Sequence, residues 1–421
     1  MTTILTRGHS PALAWAMWAL GALYYCYGFF NRVSPSVMID ELMRDFGVGA
    51  AALGNLAAFY FYAYASLQIV VGLVFDRFGA RVPLVAACAI TAAGAWLFAV
   101  ATDIQTAYIA RLAMGIGGAF TWVGALQLIA DGFPPQRFAM LSGLTLFFGL
   151  MGGVFGQAPL GALVAEFGWR ATSFGAGAFG VVLAVALALV VRSRPTPPQT
   201  HAQAGTGARL RGVVAHPQSW LLALYGAGTT GPILAFGGLW GVPYLMAKHG
   251  IDRTYAATLT TTLLIGWGIG GPLMGWISEK MRLRRPPMVI GSVLVLVSLL
   301  IVLYVPGLPI GVAQLLLLIQ GLCSGTMVLI FATAREHNRP ESAGVAAGFV
   351  NMSGMGAAAV LQPLVGYLLD LGWTGELSEG VRVYPLAAYA TACSIIPVAV
   401  AGAVIAAFFI RETGCRNVHD R

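Results

Sequence analysis

Long apolar runs, separated by short polar and charged segments, dominate the sequence. Each run is about 20 residues or longer, which is enough for a helix to cross the roughly 30 Å hydrocarbon core of a bilayer. The pattern predicts twelve such helices, with approximate bounds 13–38, 50–75, 82–101, 105–130, 138–165, 171–191, 218–247, 255–279, 287–305, 309–334, 342–370 and 384–410. We therefore expect an all-α polytopic membrane protein.

One segment near the middle of the chain does not fit the apolar pattern. Residues 192–217 hold Pro195, Pro197 and Pro198 together with four arginines and many small or polar residues. Such a composition cannot bury a core and is typical of a flexible linker. This predicts a six-helix bundle at 1–191, a linker, and a second six-helix bundle at 218–421 that ends in a short tail.

The two predicted bundles repeat each other in sequence. The charged, glycine-rich segment 72–83 has a second version at 275–286, with glycine, acid, base and proline at matching positions. Asp131 likewise corresponds to Glu336. Parallel repeats in a membrane protein indicate two similar bundles, related by an axis along the membrane normal, with a binding site between them near the midplane.

Composition and charge distribution support the membrane assignment. The chain is 58% hydrophobic and 10% charged, whereas soluble domains carry about a quarter charged residues. Seventeen Lys and Arg residues lie on the side of the predicted termini and linker, and five lie on the other: Arg44, Arg170, Lys248, Arg253 and Arg382. The positive-inside rule then places both termini and the linker in the cytoplasm. We expect the membrane to be a bacterial inner (plasma) membrane. The net charge of +8 is thus a topology signal, not an indication of nucleic-acid binding.

The sequence holds no pattern for a metal, a cofactor or catalysis. Its five cysteines lack the spacing of a disulfide framework or a metal site, and three lie well inside apolar runs. No nucleophile constellation or phosphate-binding loop is present. We expect neither metal nor cofactor, and we do not expect an enzyme.

Two arginines lie inside the predicted membrane helices, where a charge is costly and usually functional. Arg32 in the first helix and Arg111 in the fourth lie at a similar depth, about 10 Å from the midplane on the non-cytoplasmic side. Two cations at one level predict a small anionic substrate. The alternatives are that the arginines extend to the nearer interface, or that Arg111 is structural.

Helical spacing identifies neighbours for these two cations. Tyr25 and Phe29 share a face with Arg32, and Trp122 shares one with Arg111. Three residues on other helices lie at comparable depth and complete the candidate site: Gln157, Trp240 and Gln362. The alternative for each is packing or interhelical hydrogen bonding. The remaining aromatics within the spans are assigned to packing, among them Tyr60, Tyr64 and Trp267.

Several motifs resemble a known family. Gly72-x3-Asp76-Arg77-x-Gly79-x-Arg81 resembles the loop 2–3 signature of the major facilitator superfamily, and 275–285 resembles its weaker second copy. Arg111-x3-Gly115-x-Gly117-Gly118 resembles the fourth-helix motif of that family. The resemblance implies alternating-access transport by two rocking six-helix domains.

The first helix resembles that of the organic-anion branches of this family. Tyr24-Tyr25-x5-Asn31-Arg32 is similar to the pattern of anion:cation symporters and sugar-phosphate antiporters, in which a first-helix arginine holds the anionic group of the substrate. Carried over, that role falls on Arg32, with Asn31 beside it. Because 218–247 holds no Arg or Lys, a carboxylate fits better than a doubly charged phosphate ester. A weaker resemblance to lysosomal dipeptide-type carriers leaves amino acids and dipeptides open.

The repeated charged segments predict a cytoplasmic gate that holds the two halves together while that side is closed. Its predicted members are Asp76, Arg77, Arg81, Asp131, Glu279, Lys280 and Glu336. The alternative is a plain turn with charges that set topology. Either way, we expect a transporter of a small organic anion that functions as a monomer. Competing functions are an amino-acid or dipeptide carrier, an exporter of drugs or metabolites with the same fold, and a non-transporting sensor.

Overall fold

The computed structural model describes residues 10–134, 137–192, 206–339, 342–378 and 380–418. These residues form seventeen α-helices: α1 Pro11–Val33, α2 Ile39–Phe46, α3 Ala50–Phe78, α4 Arg81–Val100, α5 Ile104–Gly132, α6 Phe138–Phe155, α7 Ala158–Val190, α8 Thr206–Ala215, α9 Pro217–Ala235, α10 Gly241–His249, α11 Arg253–Met281, α12 Arg285–Tyr304, α13 Ile310–Ser324, α14 Val328–His337, α15 Ala343–Leu371, α16 Leu386–Ala392 and α17 Ile395–Phe409. Two short strands, β1 Leu377–Ser378 and β2 Val381–Arg382, pair antiparallel, with Leu377 opposite Arg382.

Local sequence explains where several helices begin and end. The side chains of Ser10, Asp103 and Asp252 each accept a hydrogen bond from a backbone N–H in the first turn of α1, α5 and α11. These caps satisfy donors that a helix start otherwise leaves free. Gly47 and Gly250 end α2 and α10 in the left-handed conformation, with φ of 63° and 62°, which glycine adopts without strain.

The number of membrane crossings agrees with the prediction only in part. In the described residues, nine helical stretches are long and apolar enough to cross a membrane, or ten if the bent pair α2 and α3 counts as one span. One of the nine, Met140–Val190, is 51 residues long, too long for a single crossing, and breaks at Gly168 (φ 79°, ψ 158°). The 29-residue helix α11 has the length of a span but lies outside the nine. The count of twelve remains a prediction.

Two helices were not predicted. Helix α2 is a short amphipathic segment between the first two predicted spans, with Asp40 and Glu41 in its first turn. Helix α8 lies within the predicted linker, so residues Thr206–Ala215 are helical where irregular chain was expected. Residues 193–205 of the predicted linker lie outside the described residues.

The helices alternate between two ends of the molecule. We call the end that holds Ser10, Gly79 and Ile410 the terminus face, and the end that holds Gly47 and Gly250 the opposite face. One buried apolar cluster contains residues from both halves of the chain; its second-half members lie toward the opposite face, whereas its first-half members extend to Ala80 and Val191 at the terminus face. Two smaller described clusters lie toward the terminus face, and each belongs to one half only. The halves are thus joined most extensively toward the opposite face.

Helices α3 and α15 form the main contact between the halves. A β-carbon at Gly54 would lie 2.5 Å from the carbonyl oxygen of Gln362, and one at Gly366 would lie 2.2 Å from that of Ala50. Only glycine permits so close an approach. The contact extends to a hydrogen bond from Asn351 Nδ2 to Gln68 Oε1 (2.9 Å). Further along α3, no atom of another described segment lies within 4 Å of the β-carbon position of Gly72.

Candidate functional site

The two intramembrane arginines lie side by side. Arg32 is 3% exposed and Arg111 is fully buried. The guanidinium group of Arg111 donates to the backbone carbonyl oxygens of Asn31 and Arg32, the second at 3.3 Å. Arg111 therefore holds the last turn of α1, the turn that carries Arg32.

Aromatic rings surround both guanidinium groups. The guanidinium carbon of Arg32 lies 4.6 Å from the ring centre of Phe29, 4.8 Å from that of Tyr64 and 5.5 Å from that of Tyr60. Arg111 lies 5.2 Å from the ring centre of Tyr60, whose hydroxyl donates to the carbonyl oxygen of Gly28 at 3.0 Å. Cation–π contact stabilises a cation without neutralising it, so the positive charge remains available to a ligand.

Neither arginine has a carboxylate partner. The ion pairs among the described residues include neither Arg32 nor Arg111. The Nε atom of each is buried and has no hydrogen-bond partner in the described part of the chain. A buried charge is normally paired, because its desolvation is expensive. The cluster is electropositive and is suited to an anion.

The side chain of Arg32 does not extend to the nearer surface. Its guanidinium group reaches Tyr64, which lies fourteen residues into α3 from the opposite face. At 1.5 Å per residue that is about 21 Å from the face, near the middle of the molecule. The Cα–Cβ bonds of α1 also tilt toward its N-terminus, in the same direction. The geometry disfavours the alternative of an arginine that extends to the nearer interface.

A row of aromatic rings links this cluster to the second half of the chain. The ring of Tyr25 lies 5.4 Å from that of Trp122 and 6.4 Å from that of Phe29. The ring of Phe29 lies 6.0 Å from that of Trp267 on α11. The structure thus brings Tyr25, Phe29 and Trp122 together, whereas the sequence placed Tyr25 and Phe29 on a face with Arg32 and Trp122 on a face with Arg111. It adds Tyr60, Tyr64 and Trp267, which sequence alone assigned to packing. The four-residue spacing of the two tyrosines was the available signal.

Three other candidate residues bind protein groups instead of facing the arginines. Gln157 Nε2 donates to the carbonyl oxygen of Gly237 at 2.8 Å, and its Oε1 accepts from Thr260 Oγ1 at 3.0 Å. Gln362 Nε2 donates to the carbonyl oxygen of Leu234 at 3.0 Å, and the carbonyl oxygen of Gln362 accepts from Trp240 Nε1 at 2.9 Å.

These bonds surround a π-helical turn at Phe236–Trp240, which begins four residues after Pro232. A proline and a π turn both disturb the regular helical bonding of carbonyl groups. The glutamines compensate for this, and Gln157 also joins the two halves of the chain. Asn31 Nδ2 donates to the carbonyl oxygen of Tyr27 on its own helix (2.8 Å).

The described residues of the predicted gate make contacts within their own half of the chain. In the first half, Arg81 donates to the carbonyl oxygen of Ala188 at 2.7 Å, and Asp131 accepts from Gln127 at 3.0 Å. Arg77 is exposed, with its guanidinium carbon 5.3 Å from the ring centre of Phe78. The side chain of Asp76 lies outside what the structure describes.

In the second half, Glu336 pairs with Arg284 at 2.7 Å and accepts from Thr413 at 2.5 Å. Lys280 lies 4.8 Å from the ring centre of Trp276, and Glu279 is exposed. A contact between the two halves of the chain by any of these gate residues remains a prediction.

Charged links between the halves lie instead at the opposite face. Arg253 at the start of α11 pairs with Asp40 (2.7 Å) and Glu41 on α2. Asp370 near the end of α15 accepts from the backbone N–H groups of Ala50 (3.1 Å) and Ala51 (2.9 Å) at the start of α3. A carboxylate at a helix N-terminus is favoured by the helix dipole. In the sequence, Arg253 is recognisable only as a loop charge, and no pattern there indicates these links.

The sequence model of the Major Facilitator Superfamily matches residues 19–243 and 222–416. The chain therefore belongs to the Major Facilitator Superfamily. The Membrane sensor protein UhpC of Salmonella typhimurium is 24% identical over 93% of this chain and 91% of its own length. The 4-hydroxybenzoate transporter of Pseudomonas putida is 24% identical over 85% of this chain and 88% of its own.

Solved structures confirm the fold. The inward-facing, occupied structure of a bacterial homologue of the human lysosomal transporter Spinster aligns with a TM-score of 0.72 at 20% identity, over 96% of this chain and 97% of that one. The protein is thus an integral membrane protein with the fold of the family, related to organic-anion carriers, and it belongs to a superfamily of transporters rather than of enzymes.

Proposed function

We propose that this protein moves a small organic anion, a carboxylate, across the membrane by alternating access, with Arg32 as the anion anchor. The observation that carries the proposal is the buried, unneutralised guanidinium group of Arg32 beside a second buried cation, Arg111. A guanidinium group binds the two oxygens of a carboxylate through parallel N–H donors. An intramembrane cation without a partner is a functional site by default.

The surroundings of Arg32 favour a carboxylate with an apolar or aromatic body. The ring of Phe29 lies beside the cation, and the rings of Tyr25 and Trp267 lie next to that of Phe29. The hydroxyl group of Tyr60 already donates to the carbonyl oxygen of Gly28. A flat apolar body packs well against such rings. The similarity to a transporter named for 4-hydroxybenzoate agrees with this choice.

The contacts between the halves support a state that is closed at the opposite face. With both termini in the cytoplasm and the protein in a bacterial inner membrane, this state opens toward the cytoplasm. The two bundles, 1–191 and 218–421, rock about the site, and the 192–217 segment joins them. Opening to the outside then requires the Arg253 and Asp370 links to break, while the predicted gate residues, led by Asp76 and Arg77, close the terminus face.

A thermal-shift screen of purified protein tests the anion anchor. The compounds are mono- and dicarboxylates, aromatic acids, sugar acids, amino acids, dipeptides and phosphate esters, with cationic drugs for the exporter alternative. We expect stabilisation by one class of carboxylate, lost in Arg32→Ala and kept in Arg137→Ala, a matched exposed arginine. Equal stabilisation of Arg32→Ala, or stabilisation by cations alone, would refute the proposal.

A second candidate function is sensing, because one relative matched over most of the chain is named a membrane sensor protein. A sensor binds the anion without moving it. The two functions differ in proteoliposomes, where a transporter takes up the stabilising carboxylate and a sensor does not.

A further inference from the structure

A large apolar cavity lies in the first half of the chain, away from the arginine cluster. It has a volume of about 620 Å³ and lies among α1, the end of α6 and both arms of the broken helix α7. Its lining includes Cys26, Tyr27 and Phe30 of α1, Phe155 of α6, and Ala171 and Gly175 of α7. We call it the lateral groove.

The lateral groove follows from the local sequence of α7. The chain reverses at Gly168, whose positive φ of 79° is available to glycine, so the two arms of α7 diverge there. Small residues then face α1 from the second arm, where Ala171, Gly175 and Ala176 leave space that larger side chains would fill. Among the described residues, no atom outside its own stretch of α7 lies within 4 Å of the β-carbon position of Gly175.

The lining is mostly hydrocarbon, and its two side-chain hydroxyl groups are already hydrogen-bonded. The hydroxyl of Tyr27 donates to the carbonyl oxygen of Ala176 at 2.9 Å, and that of Thr172 donates to the carbonyl oxygen of Gly168 at 2.7 Å. No lining residue is charged. The lateral groove therefore suits an apolar ligand and disfavours the polar anion proposed for the arginine site.

The groove opens sideways, on the surface that a bilayer covers. The rings at its mouth are among the most exposed apolar side chains of this half, with Phe155 at 54%, Phe167 at 60% and Phe179 at 45%. Cys26 and Phe30 lie in the half of α1 nearer the opposite face. The mouth therefore faces the acyl chains of the leaflet at that face.

We propose that the lateral groove holds an acyl chain of a bilayer lipid from the leaflet at the opposite face. Its volume is within the 300–1,000 Å³ typical of ligand sites and is far larger than the voids that protein interiors leave empty. A flexible hydrocarbon chain adapts to such a shape. Acyl chains are also the most abundant apolar molecules at its mouth.

The occupant is separate from the substrate site but packs against the same helix. A much smaller cavity shares Phe30, Thr172 and Ala176 with the groove and continues to Asn31 and Met114, which both contact Arg111. Its volume of about 10 Å³ has room for no more than one water molecule. The acyl chain therefore ends at Phe30. There it packs against the turn of α1 that carries Arg32, on the side of the helix that faces the groove.

Photolabelling in nanodiscs tests this proposal. The nanodiscs contain phosphatidylcholine, a fraction of which carries a diazirine on its acyl chain, and adducts are mapped by peptide mass spectrometry. We expect adducts on the segment of α1 with Cys26, which an acyl chain reaches only inside the groove, and none on buried Cys88. Gly175→Phe and Ala171→Phe fill the groove and should abolish the Cys26 adduct. Gly311→Phe, at another glycine with open space, should leave it unchanged.

Three results would overturn the proposal. One is labelling of the Cys26 segment no greater than that of Cys88. Another is an adduct that persists in both filling variants when their thermal unfolding matches that of the wild type. The last is labelling by a small water-soluble apolar diazirine but not by the lipid, which would assign the groove to a free apolar molecule. None of these depends on whether a carboxylate binds at Arg32.

Discussion

Arg111 donates a hydrogen bond through its guanidinium group to the backbone carbonyl oxygen of Arg32, with an N···O distance of 3.3 Å. The side chain of Arg111 thus contacts the main chain of Arg32. Arg111 engages backbone carbonyls, whereas Arg32 directs its own guanidinium group toward Tyr64. This division suggests that Arg111 positions the helix end and that Arg32 meets the substrate.

The two arginines should therefore differ when each is replaced by methionine. Arg111→Met leaves two buried carbonyl oxygens without their charged donor, and we expect a loss of about 1–3 kcal/mol of stability without ligand. Arg32→Met removes an unpaired buried charge, so stability without ligand should be unchanged or higher, while anion binding is lost. Thermal unfolding with and without the best carboxylate measures both effects. Equal destabilisation by both variants would contradict the division of roles.

The ion pairs of Arg253 should stabilise the state that is closed at the opposite face. Its partners Asp40 and Glu41 are partly exposed, so Arg253→Gln should cost that state about 1 kcal/mol, a roughly fivefold change in population. Spin labels on Thr102→Cys and Thr374→Cys, exposed residues of the two halves, report the separation by electron paramagnetic resonance. We expect a longer-distance population to grow in Arg253→Gln. An unchanged distance distribution would show that the pairs do not bias the equilibrium.

A pH-dependent contribution to stability is expected at Glu412, beyond the last membrane helix. Burial alone would raise the pKa of Glu412, but backbone N–H groups of Arg284, Arg285 and Gly414 outweigh burial and lower it. A carboxylate with a lowered pKa adds stability above its ordinary pKa of about 4.3 and loses it as the pH falls through the lowered value. Glu412→Gln should therefore unfold at a lower temperature than the wild type at pH 7.

The gap in unfolding temperature between wild type and Glu412→Gln should close in acid, below about pH 4. Thermal unfolding across pH measures this gap, and Glu376→Gln, at an exposed glutamate, is the control. A gap of constant size at every pH would mean that the charge of Glu412 contributes nothing.

The predicted gate at the terminus face leads to a kinetic expectation. Asp76→Asn removes the charge that is predicted to hold this face closed, and it leaves the arginine site unchanged. Transport in vesicles should slow, while the concentration for half-maximal uptake changes little. Normal rates in Asp76→Asn would remove Asp76 from the gate.

Much of this architecture could be predicted from the sequence. The apolar runs and the internal repeat indicated the architecture, and the motifs that begin at Gly72 and Arg111 indicated the family that the comparisons confirm. Depth along helices placed Arg32 and Arg111 at one level, because the rise per residue is constant. Helix faces also linked Tyr25 and Phe29 to Arg32. These inferences depend on local geometry within one helix, which sequence spacing reports directly.

Contacts between helices distant in sequence were harder to predict. The approach of Tyr64 and Trp267 to the cluster depends on how α3 and α11 rotate about their axes. The pairing of Arg253 with Asp40 requires the amphipathic helix α2, which is too short to stand out as an apolar run. The glutamines pair with a π turn, and a π turn has no reliable sequence signature. In each case tertiary packing decides the contact.

Uptake into proteoliposomes is the most direct measurement of the central claim that Arg32 anchors a transported carboxylate. The radiolabelled substrate is the carboxylate that stabilises the wild type most in the thermal-shift screen. The account predicts saturable uptake by the wild type, none by Arg32→Met, and partial recovery by Arg32→Lys, which restores the charge without the two-pronged geometry. Undiminished uptake by Arg32→Met, with correctly folded protein in the vesicles, would contradict it.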